Sequence, residues 1–281
     1  MIHPPVSSIH CNDTTADGTS SWVSNFIPKM PPRVDQPNCP ACLGTWTYTY
    51  PGNEFGGCNS CKTIYALDRT TTAQYDSEYV SSRYDKYPTT HKMSALREEV
   101  LYTVLRLHEI LPSGIALLNT GPLLDVGYGN GDFIRHCSTK GWTVFGNDVN
   151  PTEYKGVTRV ELPNQRFWPR RYRVVTFFDA LEHFENLEEA RWVSHHTDWI
   201  LVSFPQVPSD FPYQKDKWKH YRKGEHHLYF QPKSMEHIFT HDGVKAEIAY
   251  CGNPEDSIRG TLPDGKPNIC TVALRCFKEK N

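Results

Sequence analysis

Residues 123–133 read LLDVGYGNGDF: an apolar run, then glycine at every second position from 127 to 131, then the start of a helix pattern. A parallel strand over Leu123–Val126 would deliver Gly127, Gly129 and Gly131 into a strand-to-helix turn. Glycine there permits a sharp turn and lets a ligand touch the main chain, and the free N–H groups at the helix start attract a carboxylate or phosphate. A redox dinucleotide wants Gly-x-Gly-x-x-Gly. Here the last position of that fingerprint is Asp132, and the third glycine comes one residue early, which disfavours NAD.

The surrounding chain alternates strand-like and helix-like stretches. Strands are predicted over residues 123–127, 143–147, 157–161, 173–178, 199–204, 244–250 and 269–276, and helices over 131–140, 185–196 and 232–241. Ahead of them, MSALREEVLYTVLRLHEIL from Met93 to Leu111 repeats apolar residues at three and four spacing, an amphipathic helix. The alternation specifies an α/β fold, a doubly wound, Rossmann-like, mostly parallel sheet of seven strands. Residues 1–37 are rich in Ser, Thr, Asn, Asp and Pro and are expected to form a flexible arm. Residues 38–67 form a small ribbon, 68–92 a connector, and 93–281 the main domain. A formal charge of −2 from 30 basic and 32 acidic side chains advertises no anionic polymer or membrane globally. The start, MIHPPVSSIHCNDTT, has no basic or apolar leader pattern, and no apolar run approaches the roughly 20 residues of a membrane span. A soluble, cytoplasmic protein is expected, with its oligomeric state open.

Cysteine usage points the same way. Cys39-Pro-Ala-Cys42 and Cys58-Asn-Ser-Cys61, fifteen residues apart, have the spacing of two knuckles closing on one tetrahedral zinc. Four thiolates fill the coordination sphere, so the ion is expected to be structural, supplying on the order of 10 kcal/mol to a ribbon too short to bury a core alone. Four unliganded cysteines on adjacent hairpins are the plain alternative.

WTVFGNDVNP supplies a second strand ending in Asp148, about twenty residues past the glycine loop, placed to accept hydrogen bonds from two ribose hydroxyls. Gly-x-Gly-x-Gly after LLDVG, with an acid closing the next strand, resembles motifs I and II of class I S-adenosylmethionine-dependent methyltransferases. FDALEHF, WILVSFP and HHLYFQPKSMEHIFTHDG resemble later segments of small-molecule members, and the cysteine ribbon ahead of YDSEYVSSRYDKY resembles the front end of members acting on sugars. The resemblance spans roughly residues 38–250. It implies that Asp125, Gly127, Gly129 and Gly131 hold the methionine end of S-adenosylmethionine, that Asp148 holds the ribose, and that Asp179 and Leu181 line the cofactor near the reacting methyl. Glu161 is the nearest candidate for an adenine-contacting acid.

With an activated methyl in hand, the protein mainly has to align the acceptor and exclude water; some acceptors also need a base. Glu182, His183, His226 and His227 are the candidates, and a structural role for Glu182 and His183 is an even alternative. Adjacent histidines in a strand face opposite ways, so one at most enters the site, and the His-Leu-Tyr-Phe pattern selects His227. Asp179-x-x-Glu182-His183 with a later His also resembles the metal-binding set of small-RNA 2′-O-methyltransferases, with Asp in place of the first Glu, which implies a second divalent ion at Asp179, Glu182 and His183 able to polarise a hydroxyl. The stretch YQKDKWKHYRKGEHH interleaves Lys215, Lys217, Lys219, Arg222 and Lys223 with Tyr213, Trp218 and Tyr221, able to grip a phosphate and stack a base, or simply to stay solvated. Arg166, Arg170, Arg171 and Arg173 form another basic group at the far sheet edge. The expected function is methyl transfer to a small metabolite or nucleotide-linked sugar. RNA methylation with the ribbon and basic loop docking the polymer, and a non-catalytic binding protein on the same scaffold, are the alternatives.

Overall fold

The computed structural model describes residues 38–70, 78, 82, 90–108, 121–149, 152–162 and 171–279. The expected arm, residues 1–37, lies outside them, as do Arg166 and Arg170. Three short strands come first: β1 (Thr47–Thr49), β2 (Phe55–Cys58) and β3 (Ile64–Ala66). Helix α1 (Thr90–His108) leads into β4 (Leu123–Val126), α2 (Asp132–Thr139), β5 (Val144–Asn147), β6 (Thr158–Arg159) and β7 (Tyr172–Phe178). After β7 come a 3₁₀ turn (Leu181–His183), α3 (Glu188–Arg191), a second 3₁₀ turn (Trp192–His196) and β8 (Thr197–Pro205). The chain ends with β9 (Leu228–Tyr229), α4 (Pro232–Phe239), β10 (Val244–Gly252), α5 (Asp256–Arg259) and β11 (Ile269–Lys278).

The large sheet has the order β10-β11-β8-β7-β4-β5-β6. Strands β6, β5, β4, β7 and β8 run parallel, and β11 is antiparallel to both β8 and β10. Connections leave β4 toward β5 on one side and return to β7 on the other. That reversal opens a crevice at the carboxyl end of β4, where open α/β sheets bind their ligands.

Both faces of the sheet are covered, which is why its central strands read as unbroken apolar runs. Side chains alternate between two cores. Leu123, Val174, Phe178, Trp199 and Leu201 meet Val100, Leu101, Val104 and Leu105 of α1 and Phe133 and Ile134 of α2. Leu124, Val175, Phe177, Ile200 and Val202 meet Met235, Ile238 and Phe239 of α4 on the other side. Each such aliphatic or aromatic side chain contributes roughly 1.5–3 kcal/mol on burial.

Two expectations shift. The helix expected over 185–196 breaks into α3 and a 3₁₀ turn, where the Ser194 hydroxyl donates back to the Arg191 carbonyl at 3.1 Å and competes with the helical pattern. The strand expected over 157–161 shrinks to two exposed residues of β6, a short edge strand of the kind that resists pairing with other chains. The ribbon strands also pair with a strand beyond residue 67. A second sheet runs β1-β2-β3-β9, so a strand of the main domain completes it.

Candidate functional site

The glycine loop sits at the crevice. Gly127, Gly129 and Gly131 all have positive φ, 75°, 54° and 72°. A Cβ on Gly127 would come 2.6 Å from the Ala180 Cβ, and one on Gly131 would strike the Tyr154 ring at 2.6 Å. The glycines are therefore needed by the protein's own packing as well as by any ligand. Gly131 starts α2, whose first turn presents backbone N–H groups to the crevice. Asp148, just past β5, accepts the Gly129 N–H at 2.7 Å through Oδ2. It thus lies against the loop, and a carboxylate has acceptor capacity beyond this one bond. Tyr154 donates to the Gly129 carbonyl at 3.3 Å, and the Arg135 guanidinium rests 5.1 Å from its ring centroid. Asp125 points into the sheet, 3% exposed, and accepts the Thr176 hydroxyl at 2.6 Å. Burial pushes its carboxyl up to about 7 against the pull of Thr176 and Arg97. Leu181 is fully buried, and Glu161 is exposed beyond β6. A bare main-chain turn, a helix start and an acid on the neighbouring strand suit a nucleoside with an amino-acid tail.

Asp179 follows β7 with φ 51°. Arg97 of α1 donates to it at 2.9 Å, and Arg259 of α5 pairs with it as well. Both arginines also reach the buried Glu255, Arg97 at 2.8 Å and Arg259 at 3.0 Å. Burial works to raise the Asp179 carboxyl, but Arg259 and Arg97 together hold it well below the usual carboxylate range. Arg97 further lies 4.2 Å over the Phe178 ring. Two cations and two carboxylates form a neutral, hydrogen-bonded square that ties α1 and α5 to the end of β7. Asp179 is thereby paired with two arginines, while Glu182 and His183, expected with it as a metal set, stand together with His226.

Glu182 and His183, on the 3₁₀ turn after Asp179, meet His226. The His183 and His226 rings pack edge to face with centroids 4.6 Å apart. Burial, reinforced by the charge of Asp179, pushes the Glu182 carboxyl well up. Burial lowers His183 to about 4, and lowers His226 well below the usual range with help from His183 and Arg222. His226, rather than His227, the residue selected from sequence, lies beside Glu182 and His183. The reason is register: the His227 N–H donates to the Glu182 carbonyl at 2.7 Å, and its carbonyl accepts from Ala66 of the ribbon at 2.9 Å. Those bonds fix the backbone so that His226 faces Glu182, while His227 is turned toward the ribbon and feels Glu185, Arg69 and Asp68.

The cysteines form two matching knuckles. Leu43 N–H donates to the Cys39 carbonyl at 2.8 Å and Lys62 N–H to the Cys58 carbonyl at 3.0 Å, with φ 61° and 62°. Cys39 and Cys61 Sγ are 3.7 Å apart, as are Cys42 and Cys58 Sγ. Thiolates about 2.3 Å from a tetrahedral ion stand about 3.8 Å from one another. The four can hold one such ion. Beside the ribbon, the basic loop is partly spent: Lys215 pairs with Glu54, and Arg222 with Glu225 at 2.7 Å. Trp218 packs with Phe55, Phe211 and Tyr229 in a third core. Arg171 and Arg173 pair with Asp198 at the opposite end of the sheet. Sequence reasoning missed Arg97, Arg259 and Glu255; an arginine near the start of an amphipathic helix was the only hint.

Among the described residues no helix is long and apolar enough to cross a membrane. No curated protein matches the sequence. Solved structures similar in fold include magnesium protoporphyrin IX methyltransferase ChlM from Synechocystis with bound S-adenosylhomocysteine. It is 14% identical, with 66% of this chain and 83% of that one covered at a TM-score of 0.43. CcbJ methyltransferase from Streptomyces caelestis is 12% identical, with 76% and 100% covered at 0.46. The plantazolicin methyltransferase BpumL is 14% identical, with 72% and 90% covered at 0.46. A family model described as a methyltransferase domain matches residues 94–247, from α1 through β10. The chain belongs to that family of methyltransferase domains.

Proposed function

We propose that the chain transfers a methyl group to a small metabolite or nucleotide-linked sugar, and that Cys39, Cys42, Cys58 and Cys61 bind one structural zinc. S-adenosylmethionine, when bound, supplies an activated methyl. The backbone from Gly127 to Gly131 and the Asp148 carboxylate would hold it, with Asp125 behind the loop and Asp179 and Leu181 at the end of β7. Glu182, His183 and His226 face the acceptor. At neutral pH the two imidazoles are uncharged and able to accept a proton or a hydrogen bond, while burial favours the protonated form of Glu182.

The observation that carries the small-acceptor reading is the second sheet. Because β9 joins the ribbon strands immediately after His226, the ribbon stands as a wall at the acceptor end. The aromatic core of Phe55, Phe211, Trp218 and Tyr229 fills the space behind it. Two cations of the neighbouring basic loop are neutralised by Glu54 and Glu225, which weakens the loop as a polymer track. The test is incubation with methyl-tritiated S-adenosylmethionine and, separately, nucleotide-linked sugars or total RNA. Label is expected in the small-molecule fraction. Label in acid-precipitable RNA, with transfer falling steeply as salt rises, would replace this reading with the polymer one.

A further inference from the structure

The end of the large sheet opposite the crevice carries its own cluster of ligand-type side chains. His195 lies in the 3₁₀ turn that enters β8, and His241 and Asp242 stand just before β10. Strands β8 and β10 are each antiparallel to β11 between them, so both begin at that one end. Each of the three residues offers one ligand atom, and these atoms lie within 4.8 Å of one another. Asp242 (φ 48°) and Gly243 (φ 78°) form a two-residue turn closed by hydrogen bonds of 3.1 and 2.9 Å between His241 and Val244. That turn sets the exposed Asp242 carboxylate beside the His241 ring. The neighbours of His241 fix its tautomer. Its Nε2 lies 2.9 Å from the Arg191 carbonyl, which can only accept, and 3.3 Å from the Ser194 hydroxyl, whose own hydrogen goes to the same carbonyl. Nε2 therefore carries the hydrogen, and in the neutral ring, which burial favours, Nδ1 keeps its lone pair. Nδ1 faces Asp242 Oδ2 at 3.6 Å, too long for a hydrogen bond. Two electron-pair donors so placed repel each other unless a cation lies between them. Nitrogen and oxygen ligands about 2.1 Å from a tetrahedral ion stand about 3.4 Å apart, close to this separation. The His195 ring packs 4.9 Å from that of His241, the Trp192 ring stands 5.1 Å from each, and the Arg191 guanidinium donates to the Ile238 carbonyl at 3.0 Å.

We propose that His195, His241 and Asp242 bind one divalent transition-metal cation at the protein surface, with solvent completing its coordination. Two imidazoles and one carboxylate suit ions of the zinc, cobalt and nickel type better than calcium or magnesium. The bond from His241 Nε2 to the Arg191 carbonyl is the outer contact that orients a ligating imidazole. Because the cluster lies at the sheet end away from the glycine loop, the ion takes no part in methyl transfer. It clamps the turn before β8 to the turn before β10, two strands that β11 holds apart in the sheet.

The test is Co2+ titration of the untagged full chain, its ribbon already loaded with zinc, followed by tryptophan fluorescence, which a bound Co2+ quenches at close range. One saturable quenching step is expected in the wild-type chain, and it is expected to vanish in Trp192→Phe. Affinity is expected to fall at least ten-fold in His195→Gln, His241→Gln and Asp242→Asn, and to stay unchanged in His91→Gln on α1. Asp242→Asn keeps the fold, because the side chain is exposed and asparagine tolerates the left-handed backbone of the turn. Co2+ at one hundred times its dissociation constant is expected to raise the wild-type Tm by about 5 °C and to leave that of Asp242→Asn unchanged. No saturable quenching in the wild-type chain, quenching that survives in Trp192→Phe, or equal affinity in the wild type and the three ligand variants overturns the site.

Discussion

Asp125 is a carboxyl group within the sheet that accepts a hydrogen bond from the Thr176 hydroxyl. Burial raises it from 3.8 to about 7. At 1.36 kcal/mol per pH unit that corresponds to about 4 kcal/mol at most. The sign follows from linkage. Between pH 4 and 7 the unfolded chain has released this proton and the folded chain has kept it, so the contribution is fully present below pH 4 and is lost as pH rises through 7. Asp125→Asn keeps an acceptor for Thr176 and removes the titration. Urea unfolding at pH 5 and pH 8 is therefore expected to show a smaller fall in stability for Asp125→Asn than for wild type, and equal falls would contradict the assignment. At this scale the sequence carried residue types better than residue partners. Asp148 could be read from its distance past the glycines, but the arginines that claim Asp179 come from segments about eighty residues away on either side. Choosing between His226 and His227 depended on a hydrogen bond to a ribbon residue, Ala66, which no local pattern encodes.

Among elements, the central strands were the most legible, because burial on both faces writes them as unbroken apolar runs ended by Gly or Asp. The two-residue strand β9 was invisible, since Leu228 and Tyr229 form a strand only because β3 offers them an edge. In the proposed reading, that pairing makes the ribbon part of the acceptor site. Zinc removal by a chelator is expected to loosen the β3–β9 contact, shift Trp218 fluorescence to the red as its aromatic neighbours separate, and abolish methyl transfer. Binding of S-adenosylhomocysteine should change by no more than a few-fold, because β4 and β5 lie in the other sheet. Full transfer activity in a zinc-free protein would contradict this coupling.

Over the whole molecule, one sheet and one reversal of direction decide where chemistry can happen. Strand β4 carries the glycine loop, β5 carries Asp148, and β7 carries Asp179 with the turn of Glu182 and His183, so three adjacent carboxyl ends assemble the site. The strand pattern announced this architecture, while the acceptor side came from loop and ribbon packing that periodicity does not encode. The central claim is that the crevice beside β4 holds S-adenosylmethionine through bare backbone and one carboxylate. Its most direct test is calorimetric titration of the purified chain with S-adenosylhomocysteine, in parallel with Asp148→Ala. One molecule per chain is expected for wild type, with about ten-fold or greater weakening in the variant, the loss appropriate to a hydrogen-bonded charged group of about 1.5–3 kcal/mol. Tight NADH binding with no heat from the homocysteine nucleoside, or identical affinities for wild type and Asp148→Ala, would contradict it.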